Sequence, residues 1–131
     1  MKIKKIKIID LKSIKNPKGD ILKYLSKDSK YYKKFGEIYF SEIKKNKKKG
    51  WNLHKINCCF IAVPYGKVEF FIQKDKKKII KKIILSKKNY KLLIIPKGYW
   101  FSFKSLSKIS IVVNSLEQIH QDRETKKKPI N

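Results

Sequence analysis

The chemistry of this chain is concentrated in one stretch, Lys49-Gly50-Trp51-Asn52-Leu53-His54-Lys55, which follows a lysine-rich turn and opens a run with strand character. Side chains in a strand alternate between faces, so Asn52 and His54 share one face and Trp51, Leu53 and Lys55 take the other. A polar pair on one face, with large apolar residues on the other, suits a strand that lines a polar cavity. His54 is one of two histidines, and imidazole is the side chain whose ordinary pKa suits it to take and return a proton near neutral pH. The same pattern also describes a half-exposed histidine on an edge strand. His120 lies in a polar run, Glu117-Gln118-Ile119-His120-Gln121, and reads as a solvated surface residue. Tyr39 sits in an alternating segment, where it is either a cavity-facing acid or core packing. Trp51 and Trp100 are able to stack a ring, or to pack in the core or a dimer interface. There are no paired carboxylates, no glycine-rich phosphate loop and no Ser/His/Asp arrangement.

The elements that must position these groups are strands. Residues 3–9 alternate lysine with isoleucine, residues 16–20 have turn chemistry, and residues 21–25 form a short alternating piece. Residues 35–43 read as a strand with Ile38, Phe40 and Glu42 on one face and Tyr39, Ser41 and Ile43 on the other. Residues 44–49 read as a solvated, charged loop. Residues 59–63 end at Pro64-Tyr65-Gly66, which predicts a hairpin into the alternating run 67–73. A second tight turn is expected at 75–78, followed by strands at 79–85, 90–95, 99–103 and 109–114. From about residue 117 the chain turns polar, and 126–131 read as a loose tail. About eight or nine short strands, evenly spaced and without a helical period, predict a single all-β domain over residues 1–131, either a sandwich or a small barrel.

Composition narrows the partners. With 35 basic and 10 acidic residues the formal charge is +25, which invites a nucleic-acid reading. Arg123 is the sole arginine, however, and lysine does not reproduce bidentate phosphate and base contacts. The lysines are spread along the whole chain beside abundant isoleucine, asparagine and tyrosine, as in an AT-rich coding sequence. Nucleic acid is therefore an unfavoured partner. No apolar run approaches the roughly eighteen residues of a membrane helix, and the N-terminus lacks the features of a signal peptide. Cys58 and Cys59 are adjacent, so a disulfide between them is strained and no Cys-x-x-Cys spacing exists. They read as small buried hydrophobes in a reduced, cytoplasmic compartment.

Several segments in this order carry a family resemblance: Tyr39-Phe40-Ser41-Glu42-Ile43, Lys49 to Lys55, Val63-Pro64-Tyr65-Gly66-Lys67-Val68, Leu85-Ser86-Lys87-Lys88-Asn89-Tyr90 and Ile94-Ile95-Pro96-Lys97-Gly98-Tyr99-Trp100-Phe101-Ser102-Phe103. Together they resemble the cupins that act on nucleotide-linked sugars, namely short dTDP-4-dehydrorhamnose 3,5-epimerases and the dTDP-4-keto-6-deoxyglucose 3,4-ketoisomerases with their Arg-Gly-x-His-x-His-Lys motif. The resemblance implies a cupin-type jelly roll (a double-stranded β-helix) and a homodimer. It implies a nucleotide-linked sugar as partner in surface-polysaccharide synthesis, no cofactor, and proton abstraction next to a 4-keto group. The four metal positions of cupins correspond to Asn52, His54, Cys59 and Phe101, a set that implies no metal. The resemblance further makes His54 the candidate base, with Tyr39 as a second catalytic group. Lys49 stands where the family has an arginine and is expected at the diphosphate, with Asn52 and Lys55 also at the substrate. Asn52 replaces the histidine that serves the epimerases as base. A sugar-nucleotide-binding cupin with impaired catalysis is therefore the second reading, and a lysine-rich β-barrel that binds nucleic acid is the third.

Overall fold

The computed structural model describes residues 3–74 and 78–130. Twelve strands are formed: β1 (Lys7–Asp10), β2 (Ser13–Ile14), β3 (Ile21–Leu22), β4 (Glu37–Lys44), β5 (Lys48–His54), β6 (Cys59–Tyr65), β7 (Lys67–Gln73), β8 (Ile79–Ser86), β9 (Lys91–Ile95), β10 (Trp100–Ser105), β11 (Ile109–Leu116) and β12 (Thr125–Lys127), with a short 3-10 turn at Asp122–Glu124. They pair antiparallel into two five-stranded sheets, β1-β9-β6-β11-β4 and β12-β5-β10-β7-β8, beside a small β2-β3 ribbon. From β4 to β12 the chain changes sheet at every connection except β7 to β8. That is a jelly roll, the all-β cupin architecture expected. No helix among the described residues is long and apolar enough to cross a membrane.

Three expectations are corrected. Pro64-Tyr65-Gly66 does not make a hairpin, because β6 pairs with β9 and β11 while β7 pairs with β8 and β10. It is a corner between sheets. Gly66 holds φ at +87° there, pressed against Ile109 and Ser110, and the Ser110 hydroxyl binds both the amide and the carbonyl of Lys67. The true hairpin is β7-β8, whose expected tip at 75–78 lies almost wholly outside the described residues. The charged run 44–49 is half strand, since Lys44 ends β4 and Lys48 and Lys49 open β5, with residues 45–47 turning between them. The loose tail is partly wrong as well: β12 pairs with β5 across Thr125↔His54, Lys126↔Leu53 and Lys127↔Asn52.

Alternation explains which faces are buried. On β7, Val68, Phe70 and Ile72 are fully enclosed while Glu69, Phe71 and Gln73 are not. On β4, Tyr39, Ser41 and Ile43 turn inward, and Ile38, Phe40 and Glu42 outward. Strands β6 and β9 are buried on both faces, which is why they read as unbroken apolar runs. Their second face is covered by the N-terminal segment, where Ile9, Leu11, Tyr24 and Tyr32 pack on Phe60, Leu92 and Ile94. Each large apolar side chain so enclosed contributes about 1.5–3 kcal/mol. The core between the sheets is weighted toward β6, β7, β9 and β10. The polar inward residues of β4 and β5 gather on the opposite side, where both strands run at or next to a sheet edge.

Gly66 and Gly98 have the same φ, but a Cβ at Gly66 would collide with Ser110 and Ile109, whereas one at Gly98 meets nothing within 4 Å. Urea denaturation should show Gly66→Ala destabilised by at least the roughly 1–3 kcal/mol of a strained left-handed residue, and Gly98→Ala by less.

Candidate active site

Strand β5 carries a bulge that sets the site. Against β10 its register runs Asn52↔Phe101 and then Gly50↔Ser102, leaving Trp51 as an extra residue. Simple alternation would put Lys49 and Asn52 on opposite faces. With the bulge, Lys49 (opposite Phe103), Asn52 (opposite Phe101) and His54 all share the inner face with those two core phenylalanines. A side chain at Gly50 would strike the Phe101 carbonyl oxygen and the Ser102 backbone, so the bulge needs glycine. Trp51 turns outward, where Lys128 Nζ stands 5.2 Å from its ring and 4.9 Å from that of Trp100, and also donates to Gln73 Oε1 at 2.7 Å. The amides and carbonyls of Trp51 and Lys128 exchange two hydrogen bonds at 3.2 Å, stitching the C-terminal segment along the bulge.

That segment delivers a residue with no sequence signal beyond the scarcity of acids, Glu124. It is 1% exposed. Its Oε1 accepts the amides of Ile56 (3.1 Å) and Asn57 (2.9 Å), and His54 Nδ1 lies 2.8 Å from Oε2. His54, 5% exposed, stacks on Phe101 with ring centroids 6.1 Å apart. Burial pushes the Glu124 carboxyl up, but the Asn57 amide, the His54 ring and the Ile56 amide together hold it below the usual carboxylate range. Burial also lowers the His54 pKa, an effect that Glu124 only partly offsets. The pair is thus an ionised carboxylate and a neutral imidazole whose Nδ1–H donates to it. That tautomer leaves Nε2 unprotonated, the nitrogen of a general base.

The other expected residues divide. On the facing strand β4, the Tyr39 hydroxyl accepts from Asn114 Nδ2 at 2.9 Å and keeps its own proton to donate. Burial above all pushes its pKa up to about 12, so it stays protonated. Lys49 Nζ donates to Ser41 Oγ at 2.8 Å, joining β5 to β4 across the gap between the sheets. Asn52 lies half-buried between Lys49 and His54. Lys55 is not brought to this group. It is exposed beyond the end of β5, on a separate surface cleft of about 330 Å³ that Tyr31, Lys97 and Glu117 also line. His120, read as a surface residue, instead packs edge-on to His54 with ring centroids 6.0 Å apart, its Nδ1 3.4 Å from Glu124 Oε2. Cys58 and Cys59 are free thiols, and burial pushes Cys58 up to about 12 and Cys59 higher still, so neither is a ready nucleophile. Of the cupin metal positions, Phe101 is a stacking surface for His54 and Asn52 is an amide.

A jelly roll of this topology, carrying a buried histidine–carboxylate pair, has the architecture of a cupin. The chain belongs to the family described as WxcM-like, C-terminal (FdtA), whose profile matches residues 4–124. Among solved structures it is similar to a dTDP sugar isomerase from Desulfovibrio desulfuricans G20, with 28% identity and a TM-score of 0.88 over 95% of this chain and 83% of that one. The fold is also shared with the sugar 3,4-ketoisomerase QdtA from Thermoanaerobacterium thermosaccharolyticum, solved with TDP (15% identity, TM-score 0.79, 92% of this chain and 86% of that one). A third likeness is to the 3,5-epimerase RmlC from Legionella pneumophila, solved with dTDP-4-keto-L-rhamnose (19% identity, TM-score 0.78, 93% and 71%). No curated protein sequence matches.

Removing the Glu124 carboxylate leaves two amides and the His54 N–H without partners in a buried site. Glu124→Ala should therefore lose about 2–4 kcal/mol of stability, measured by urea denaturation.

Proposed function

We propose that this protein is an isomerase of nucleotide-linked 4-keto-6-deoxy sugars, moving the keto group from C4 to C3. The observation that carries this reading is the His54–Glu124 pair, a neutral imidazole held in one tautomer at the polar side of a jelly roll. His54 Nε2 takes the proton from C3, which is acidic because it lies next to the 4-keto carbon, and an enediolate forms. That proton exchanges with solvent while it is held on Nε2, and His54 then delivers one to C4 on the same face. The proton of the C3 hydroxyl leaves as the C4 oxygen gains one, with Tyr39 as relay and hydrogen-bond donor to the enediolate. One base serves two adjacent carbons on one face. Epimerisation would need a proton donor on the opposite face, the part Tyr39 on the facing strand would then take; with Tyr39 assigned to the oxygens, the single candidate base favours the keto shift.

Lys49 supplies the charge for the diphosphate, as a point contact rather than a bidentate one. Asn52 offers an amide to the keto oxygen. The family likeness and the similar dTDP sugar isomerase support a dTDP-linked substrate. The exposed Phe35, Ile38 and Phe40 beside and along β4 give an apolar face suited to a homodimer. Two free cysteines accord with a reduced, cytoplasmic setting. Lys48, Lys82 and Lys128 share one cleft with Trp51 and Phe71, while Lys7 and Lys30 stand over Tyr31 elsewhere; the near-absence of arginine keeps nucleic acid the unfavoured partner. The second reading, binding without turnover, is favoured by one observation, the asparagine at position 52.

Incubation with dTDP-4-keto-6-deoxyglucose in heavy water, followed by proton NMR, should give the 3-keto isomer with deuterium at C4. His54→Ala should slow this by about 10²–10⁴-fold while the fold is retained. Deuterium at C3 and C5 with inversion would make the protein an epimerase. Tight dTDP binding with no exchange would leave only the binding role.

A further inference from the structure

Glu124 is the meeting point of two imidazoles. His54 Nδ1 and His120 Nδ1 lie 2.8 Å and 3.4 Å from the same oxygen, Oε2, while Oε1 is held by the amides of Ile56 and Asn57. The ligand-type atoms of the three residues lie within 4.8 Å of one another. His120 has no part in the proton transfer derived above, and its side chain is partly open to solvent.

We propose that His54, His120 and Glu124 form a site for one transition-metal ion of the zinc class, and that filling it switches the base off. Two imidazoles and a carboxylate are a donor set for Zn²⁺, Co²⁺, Ni²⁺ or Cu²⁺ rather than for Mg²⁺ or Ca²⁺. A tetrahedral ion with bonds of about 2.0–2.2 Å holds its ligand atoms about 3.3 Å apart. The His120–Glu124 separation of 3.4 Å is already there, the His54–Glu124 separation of 2.8 Å is about half an ångström shorter, and the two imidazole nitrogens lie within 4.8 Å of each other. The carboxylate is oriented from behind by two backbone amides, as metal-binding carboxylates commonly are. Solvent on the His120 side completes the coordination, beside Thr125 Oγ1 at 3.5 Å from His120 Nδ1. This is not the cupin set of Asn52, His54, Cys59 and Phe101, with which it shares only His54. The chain's charge of +25 repels every cation from a distance, but salt screens that repulsion beyond about 8 Å. Selectivity then rests on nitrogen ligation.

The switch follows from the tautomer, and this part rests on the proposed isomerase reading. An ion on Nδ1 of neutral His54 requires the ring proton to move to Nε2, with no net release. Nε2 is then a donor, unable to accept the proton from C3. Solvent exposure at His120 lets the ion arrive from outside while substrate approaches from the lumen.

The test uses the full chain, tag-free and stripped of metal, with Co²⁺ as probe. One equivalent should produce the visible absorption of low-coordinate cobalt. His120→Ala and the milder His120→Gln, each verified as folded by circular dichroism, should weaken binding at least tenfold, and Cys58→Ser should leave it unchanged. Independently of any variant, Zn²⁺ should shift the Nδ1 signals of both histidines in long-range proton–nitrogen NMR spectra. Zn²⁺ should also suppress the deuterium exchange, chelator should restore it, and Mg²⁺ should do nothing. Absent cobalt absorption, binding lost in Cys58→Ser, or unmoved histidine signals would overturn the site. Exchange that persists at saturating Zn²⁺ would overturn the switch. Histidine-dependent cobalt binding by a protein that never turns sugar over would support the site and count against the isomerase reading.

Discussion

A buried carboxylate with no aqueous shell must be satisfied in full, and that demand at Glu124 organises this end of the molecule. Two consecutive amides of the β5–β6 loop, a histidine ring from β5 and the turn that precedes β12 converge on one side chain. The desolvation of an ion costs several kcal/mol unless partners replace the lost water. The loop, the strand and the C-terminal segment are therefore folded as one unit. The backbone bond from Lys55 N to Glu124 O, at 2.8 Å, adds a further tie.

The tautomer of His54 depends on that unit, and so does the chemistry assigned to it. An imidazole free to rotate or to titrate in water would carry its proton on either nitrogen. Here the anion fixes the proton on Nδ1, and burial against Phe101 limits ring motion. Tyr39 is protected in a comparable way, since Asn114 spans from its hydroxyl to the amide of Phe60 and so ties β4, β11 and β6 together. Both groups are supported on strands rather than on free loops, which favours a fixed geometry.

Much of the fold was legible because period-two alternation is a local property. Runs such as Val68-Glu69-Phe70-Phe71-Ile72 announce their buried face directly. The Pro64-Tyr65-Gly66 corner was misread because turn chemistry specifies a reversal without specifying which strand receives it, and here the receiving strand lies in the other sheet. At the site, His54 and Asn52 stood out as a polar pair in an apolar setting. The face of Lys49 was not legible from alternation, because the bulge at Trp51 depends on the close approach of Ser102. Glu124 left no trace, and His120 was read as a solvated surface residue. Their importance comes from a contact seventy residues away in sequence between His54 and Glu124, inside a segment whose polarity resembles that of any tail.

Apart from Lys49, the lysine run at 44–49 carries no information about a ligand, yet its position has a consequence for how these molecules behave in a crowd. β12 covers the edge of β5 along Asn52, Leu53 and His54, and the Trp51–Lys128 pair carries that cover one residue further; among the described residues no strand pairs with the outer edge of Lys48 to Gly50, beside the opening of the lumen. An uncovered edge invites a strand from a neighbouring chain, and charged side chains are a recognised deterrent. Lys44, Lys45, Lys47, Lys48 and Lys49 surround that edge with like charge, which a second copy shares. The composition that biased the whole sequence thereby keeps one chain from zippering onto the next across the mouth of the barrel.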